Sequence, residues 1–460
     1  MARLRTVLPI ALSCLALVVP EVASACEQRT ICFNWTPVIT DNDVGEDFLL
    51  EDKVPARGTR VTLMRPVPEP PLRTFLDQEG CLTFESQYAY GHKLVVYADA
   101  WVGHVEPGPP DPVQLRVGRQ EMDGGNYETD FFWIVDVDEI APNSVVEVSF
   151  EWQKTDPIVP IMAVATEVLH RFAQLEVLPP EPTGALLIVF RDWYGGALFF
   201  GPNNVVPGSN MIRLGPDSYQ EKYVIAHEMG HWLQYTWGTY LNAGLGYGYG
   251  NDDDNMGDLK PDPPCKFKVS PPMNFSNPMM PIGTNANTHG IRSAEWSVGA
   301  MEEGFAHFIA SATFNDAEED GIFRYYKDIN TEFNKPHYDA FVAADLKVSL
   351  YGGTNVNTLG GKNRWTDSMC TNDWAEPGVS SEIDWLRFFW HYWTRSGTSP
   401  TLPEILEFFA WVVDENYAID DTNVGTVLRT ALGESQWSSF GGRFEQANCD
   451  MGAYNENTCP

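Results

Sequence analysis

The period of the hydrophobic pattern changes at Thr155-Asp156-Pro157, and this change constrains the fold more than any other feature of the chain. Before it, apolar residues recur at every second position, the spacing of half-buried strands. Residues 144–152 show this most clearly: Val146, Val148, Phe150 and Trp152 share one face, and Glu147, Ser149 and Glu151 share the other. Residues 59–65, 81–85, 93–101 and 130–137 are read as further short strands, separated by turn clusters such as Asp77-Gln78-Glu79-Gly80 and the Pro-rich stretch 106–112. After the change, Ile161, Val164, Val168 and Phe172 recur at helical spacing within 157–175. Brief strands follow at 185–190 and 211–214, then a helix from Ser218, a Gly/Asn/Asp/Pro-rich segment at 242–288 and a helix from about 293 to 314. The tail from 381 is mostly helical, with Ile383, Leu386, Phe389 and Trp390 on one stripe. The expected fold class is therefore α+β: an all-β sandwich over 26–154, then a mixed domain over 155–460 with a helical C-terminal part.

Composition narrows the partners. The 460 residues include 63 acidic and 30 basic side chains, a formal charge of -33. A polyanion needs a basic face, so nucleic acid and anionic membrane surfaces are excluded as partners. At 43% hydrophobic residues with 15 Trp, the chain has ample material for buried cores and is not a disordered one. Residues 1–25 have the plan of a secretory signal: Arg3 and Arg5, an apolar run from Val7 to Val19, then Ala23-Ser24-Ala25. No later stretch reaches 18 apolar residues, so no transmembrane segment is expected and the mature protein is placed outside the cytoplasm. Seven cysteines follow the signal without C-x-x-C spacing, which in an exported chain points to disulfides. Seven is odd, and Cys26 as a lipidated N-terminus would leave six to pair, but Ala23-Ser24-Ala25 has Ala rather than Leu at position -3 and so favours plain cleavage, with lipidation as the alternative.

The chemistry is concentrated in His227-Glu228-Met229-Gly230-His231, an H-E-x-x-H. Positions i and i+4 of a helix share a face, so the two imidazoles converge on one point and suit a zinc ion. Glu228 sits beside the first of them, within reach of a water activated by that ion. Ser218 and Glu221 have the S-x-x-E spacing of a capping box that would start the helix. The flanks Val224-Ile225-Ala226 and Trp232-Leu233 are uncharged, as a helix buried beneath a cleft requires. A catalytic zinc normally has a third protein ligand. The extended motif H-E-x-x-H-x-x-G-x-x-H is excluded, because Gln234 and Trp237 occupy its two further positions.

Downstream lies Ala300-Met301-Glu302-Glu303-Gly304-Phe305-Ala306. Together with the H-E-x-x-H, this resembles the gluzincin metallopeptidases, whose second motif supplies the third ligand from a glutamate followed by Gly-Phe-Ala. The resemblance covers residues 212–313. It implies a zincin-like domain in which His227, His231 and Glu303 hold zinc and Glu228 is the general base, hydrolysing peptide bonds of a protein or peptide substrate through a zinc-activated water. Glu302 and Glu295 are the alternatives to Glu303. The chain departs from the pattern in two ways: 72 positions separate His231 from Glu303, and an acid that supports a histidine ligand in thermolysin-like members is replaced by His307. The strand at 210–214 resembles the edge strand that such enzymes offer to an extended substrate. His289, Tyr351 and His391 are candidate oxyanion donors.

Residues 58–98, through Cys81-Leu82-Thr83-Phe84, resemble transthyretin-like or immunoglobulin-like accessory domains of secreted enzymes, which implies a spacing, docking or folding role. Three acidic runs, 41–47, Asp252-Asp253-Asp254 with Asp258, and 316–321, offer clustered oxygens for structural calcium. The third run lacks the twelfth-position Glu of an EF-hand loop, having Lys327 there. The rival functions are an extracellular binding protein that keeps zinc structurally, and an N-terminal domain acting as an autoinhibitory prosegment.

Overall fold

The computed structural model describes residues 27–39, 53–102, 114–120, 127–149, 156–178, 185–192, 197–200, 210–216, 218–238, 295–314, 379–380, 382–394, 399–415, 417 and 424–451. The signal segment, Cys26, the three acidic runs, His289 and Tyr351 lie outside the described residues. Among the described residues the first elements are ten strands: β1 (Glu27–Trp35), β2 (Val54–Pro55), β3 (Thr59–Met64), β4 (Leu72–Phe75), β5 (Cys81–Ser86), β6 (Lys93–Ala100), β7 (Leu115–Gln120), β8 (Tyr127–Glu128), β9 (Phe132–Asp136) and β10 (Val145–Ser149). Next come helix α1 (Ile158–Gln174), β11 (Leu186–Arg191), β12 (Ala197–Phe200), β13 (Asn210–Leu214) and helix α2 (Lys222–Thr236). The remainder is β14 (Glu295–Trp296), α3 (Ser297–Phe314), β15 (Val379–Ser380), α4 (Glu382–Thr394), α5 (Leu402–Asp414), α6 (Val424–Glu434) and α7 (Gly441–Met451). The fold is α+β, and among the described residues no helix is long and apolar enough to cross a membrane.

The N-terminal strands form two sheets. In the smaller one β1 pairs with β10, β2 and β5, and a Cys32–Cys81 disulfide joins β1 to β5 where those residues are register partners. The turn into β5 is set by Asp77, whose Oδ1 accepts from the backbone N–H of Glu79 at 3.0 Å and of Cys81 at 2.7 Å. Alternation gives the sheets their apolar inner faces: Ile31, Phe33 and Trp35 of β1 are fully buried, and Trp35 meets Trp133 of β9 edge to face at 5.5 Å.

Among the described residues the larger sheet has nine strands in the order β12-β13-β11-β7-β6-β3-β4, with β8 on β7 and β9 on β6. Strand β11 runs parallel to both β7 and β13. The change of period at 155 therefore marks where the chain enters a helix, but not an edge of the sheet. Backbone hydrogen bonding crosses from β7, which precedes that position, to β11, which follows it, and one apolar core contains residues from both sides.

Helix α1 makes this continuity possible. The stripe Ile161, Val164, Val168 and Phe172 is fully buried, and so are Val159, Met162, Ala163 and Ala165 off the stripe. A helix with apolar residues on all sides has to be enclosed, and α1 lies against β7 on one side and α2 on another. Its buried Glu167 is neutralised by Arg57 at 2.9 Å and Arg171 at 3.1 Å, which ties the helix to the turn between β2 and β3.

Candidate metal centre

Helix α2 begins later than the S-x-x-E pattern predicts. Glu221 is its N-cap residue with extended backbone and no side-chain cap bond, and Ser218 lies in a turn ahead of it, so no capping box forms. Packing positions the helix instead: Ile225, Ala226, Trp232 and Leu233 are buried, as the uncharged flanks predict. The interval between the two histidines is closed by Gly230. A Cβ there would lie 3.0 Å from the Cα of Ala306 on α3 and 3.1 Å from its carbonyl oxygen, so glycine lets the two helices approach backbone to backbone. On the far side of α3, a Cβ on Gly304 would meet the Trp385 Cβ at 2.4 Å and the Glu382 carbonyl at 2.7 Å, both on α4. Helix α3 is thus held between α2 and α4 by close contacts at Ala306 and Gly304, both within one turn of Glu303.

This packing brings three side chains together across a long stretch of sequence. The Nε2 atoms of His227 and His231 are 3.2 Å apart, and each lies 3.1 Å from Oε2 of Glu303. Among the described residues, His227, His231 and Glu303 are the group of potential metal ligands whose donor atoms gather within 4.8 Å. The triangle fits a first-row divalent ion: ligands held tetrahedrally at ~2.0–2.1 Å from a metal stand about 3.3 Å from each other. Two imidazoles and one carboxylate are also a donor set of intermediate softness, suited to zinc and its neighbours and poor for calcium, which takes oxygen. Three protein ligands leave at least one tetrahedral corner open.

The site's electrostatics favour a cation. Burial pushes the pKa of His227 down to about 3, with His307 adding to the effect, so this imidazole is neutral and its lone pair available. Burial works against charge on His231 too, but the Glu303 carboxylate outweighs it and holds the pKa up to about 9, with Glu228 contributing. The carboxylates thus attract positive charge to His231, and a cation entering the site would compete with a proton there. Glu228 is buried, and its effect on His231 places its charge at the site.

The alternatives to Glu303 lie elsewhere. Glu302 is buried and lines an internal cavity with Gln234, Met301, Phe305, Phe389 and Phe409. Glu295 belongs to β14, ahead of α3, and so does not share a helical face with Glu302. His391 sits in α4, where its carbonyl accepts from Arg443 of α7 at 2.5 Å, and it is not one of the converging ligands. The strand at 210–214 is not an edge: β12 pairs antiparallel to β13 and takes the outer position. Phe199 of β12 lies nearly parallel to the His231 ring, 6.5 Å from it, and 6.3 Å from Tyr235.

Neither a family model nor a curated protein matches this chain.

Three features of the surround were not read from the sequence. Gln234 Oε1 lies 3.0 Å from Nδ1 of His231, and its Nε2 donates to the Glu302 carbonyl at 3.2 Å. Its position three residues after His231, on the same helical face, is the signal that could have pointed to it. His307 Nε2 pairs with Glu382 Oε2 at 2.7 Å, while its ring lies 4.2 Å from that of His227. Glu382 comes from α4, so no local spacing announces it. Phe199 comes from a strand with no alternation long enough to mark it.

Proposed function

We propose that the chain is a secreted zinc metallopeptidase of the gluzincin kind, with a zincin-like catalytic centre built on α2, α3 and the β12–β13 margin of the sheet. The observation that carries this reading is the convergence of His227, His231 and Glu303 at 3.1–3.2 Å from two helices far apart in sequence, with Glu228 buried beside them. His227, His231 and Glu303 would hold the zinc, which when bound would supply Lewis acidity and lower the pKa of water toward ~7. The carboxylate of Glu228 takes the proton of the attacking water and passes it to the departing amine nitrogen. His227 and His231 act as neutral donors, and Glu303 balances part of the ionic charge. Among the described residues β12 is the outer strand, so its backbone N–H and C=O groups on that side are the means by which an extended peptide could be held, and Phe199 forms an apolar wall next to His231.

A centre to which the described residues bring three protein ligands and an adjacent buried carboxylate is better matched to hydrolysis than to a structural zinc, which four protein ligands normally close. The test is Glu228→Gln. This variant should retain zinc, measured by mass spectrometry of the purified protein, and lose cleavage of an unfolded protein substrate by at least ~10²-fold. Unchanged cleavage would refute the assignment, and absence of cleavage by the parent protein under the same conditions would favour the non-catalytic zinc-binding alternative.

A further inference from the structure

We propose that Gln234 is a positioning residue that fixes which nitrogen of His231 is free and ties that ring to the helix carrying Glu303. This deepens the metal-centre reading and rests on it. The assignment follows from what each atom can do. The Glu302 carbonyl can only accept a hydrogen bond, so the Gln234 group 3.2 Å from it must be the amide NH₂. That orientation is thereby settled without reference to His231, and it turns Oε1 toward the imidazole.

An amide oxygen can also only accept, so the His231 nitrogen 3.0 Å from it, Nδ1, must carry a proton. With Nδ1 protonated, the neutral ring has its lone pair on Nε2, the atom that faces His227 and Glu303. A single side chain therefore selects the tautomer of one ligand and reaches the backbone one residue before another. Gln234 is itself buried, so water does not compete for either bond. His227 lacks an equivalent: among the described residues its buried Nδ1 has no hydrogen-bond partner. The two ligands of one motif are thus held differently, one by a hydrogen-bonded relay and the other by ring packing against His307.

The test compares Gln234→Met, which keeps volume and removes both bonds, with Gln234→Glu, which keeps an acceptor for Nδ1 and loses the donor to Glu302. Zinc affinity, measured by competition with a chromophoric chelator, should fall about 10–100-fold in Gln234→Met and by clearly less in Gln234→Glu. Nitrogen-15 NMR of the unsubstituted protein should show a slowly exchanging His231 Nδ1–H with or without zinc, and Gln234→Met should lose it. Wild-type affinity in Gln234→Met would overturn the proposal. So would a fast-exchanging Nδ1 proton in the unsubstituted protein, which needs no variant to fold. Should the unsubstituted protein show the protected proton but bind no zinc, the metal-centre reading fails while the role of Gln234 in holding His231 stands.

Discussion

Gly304→Ala is the most discriminating test of how the centre is assembled, because its effect can be worked from distances. The new Cβ would lie 2.4 Å from the Trp385 Cβ, 2.7 Å from the Glu382 carbonyl and 3.1 Å from the Leu386 backbone nitrogen. Carbon atoms rest at about 3.5–4.0 Å, so α3 and α4 must part by roughly 1 Å. Helix α3 cannot yield toward α2, because Gly230 and Ala306 already bring those backbones into contact. Overpacking of this kind costs about 1–3 kcal/mol, and two of the three obstacles are backbone atoms, which puts the cost near the upper end. Replacing a helical glycine returns about 1 kcal/mol of propensity, for a net loss of about 2 kcal/mol. Gly230→Ala is the milder comparison: its contacts of 3.0, 3.1 and 3.3 Å need a few tenths of an ångström of relief, two of them from the Ala306 backbone, so its strain is smaller than at Gly304 but is not removed by propensity. Denaturant unfolding of the metal-free proteins, with zinc content measured alongside, should show Gly304→Ala destabilised and depleted of zinc because Glu303 is the next residue. Gly230→Ala should be destabilised by less than Gly304→Ala. Equal stability of Gly304→Ala and the parent, or a larger loss for Gly230→Ala, would refute the reasoning.

Three further outcomes are expected. Glu303→Ala should lose zinc while Glu302→Gln keeps it, measured as bound metal per protein; equal zinc in Glu303→Ala and the parent would remove Glu303 from the ligand set. Phe199→Ala should raise KM for peptide substrates several-fold with kcat little changed if that ring is a wall of the substrate groove, and steady-state kinetics on a short fluorogenic peptide would show it. Burial lowers the pKa of His92, against an opposing pull from Glu69 and with Arg29 and Arg65 adding to the lowering. The unfolded chain therefore takes up a proton at higher pH than the folded one. The stability this contributes is complete above about pH 6.5 and is lost as pH falls through the depressed folded value, at up to 1.36 kcal/mol per pH unit. Denaturant midpoints from pH 7.5 to 5 should show the parent losing this increment relative to His92→Gln, and parallel curves would refute it.

Much of the centre was legible because its signals are local. The spacing of His227 and His231 needs only the helical repeat, and both lie on α2 as read. Glu303 was reached through its Glu-Gly-Phe-Ala neighbours, and Gly304 has a packing reason to be there: α4 lies where a side chain would project. What failed was what depends on partners distant in sequence. The Ser218–Glu221 spacing suits a capping box, yet the segment is held by the packing of α2 and the helix starts at Lys222. The strand at 210–214 reads as an edge because β12 is only four residues long and carries no alternation to reveal it. The period change at 155 was real, but the sheet continues past it because β11 inserts beside β7.

The 72 positions between His231 and Glu303 are the least expected feature of the site, and the geometry accounts for them. The entropy of bringing two chain positions together grows slowly with their separation, by only about 0.6 kcal/mol for each doubling. A long interval is therefore a small tax compared with the burial of the two helices it joins, whose Trp232, Met229, Phe305 and Ile309 are all removed from water. Those four side chains alone are worth about 1.5–3 kcal/mol each. The ligand triangle is set by the two helix contacts at Gly230 and Gly304, and the connecting chain can lengthen without moving it. Sequence separation between motifs is for this reason a weak argument against a shared metal centre, whereas a side chain larger than glycine at position 304 would be a strong one.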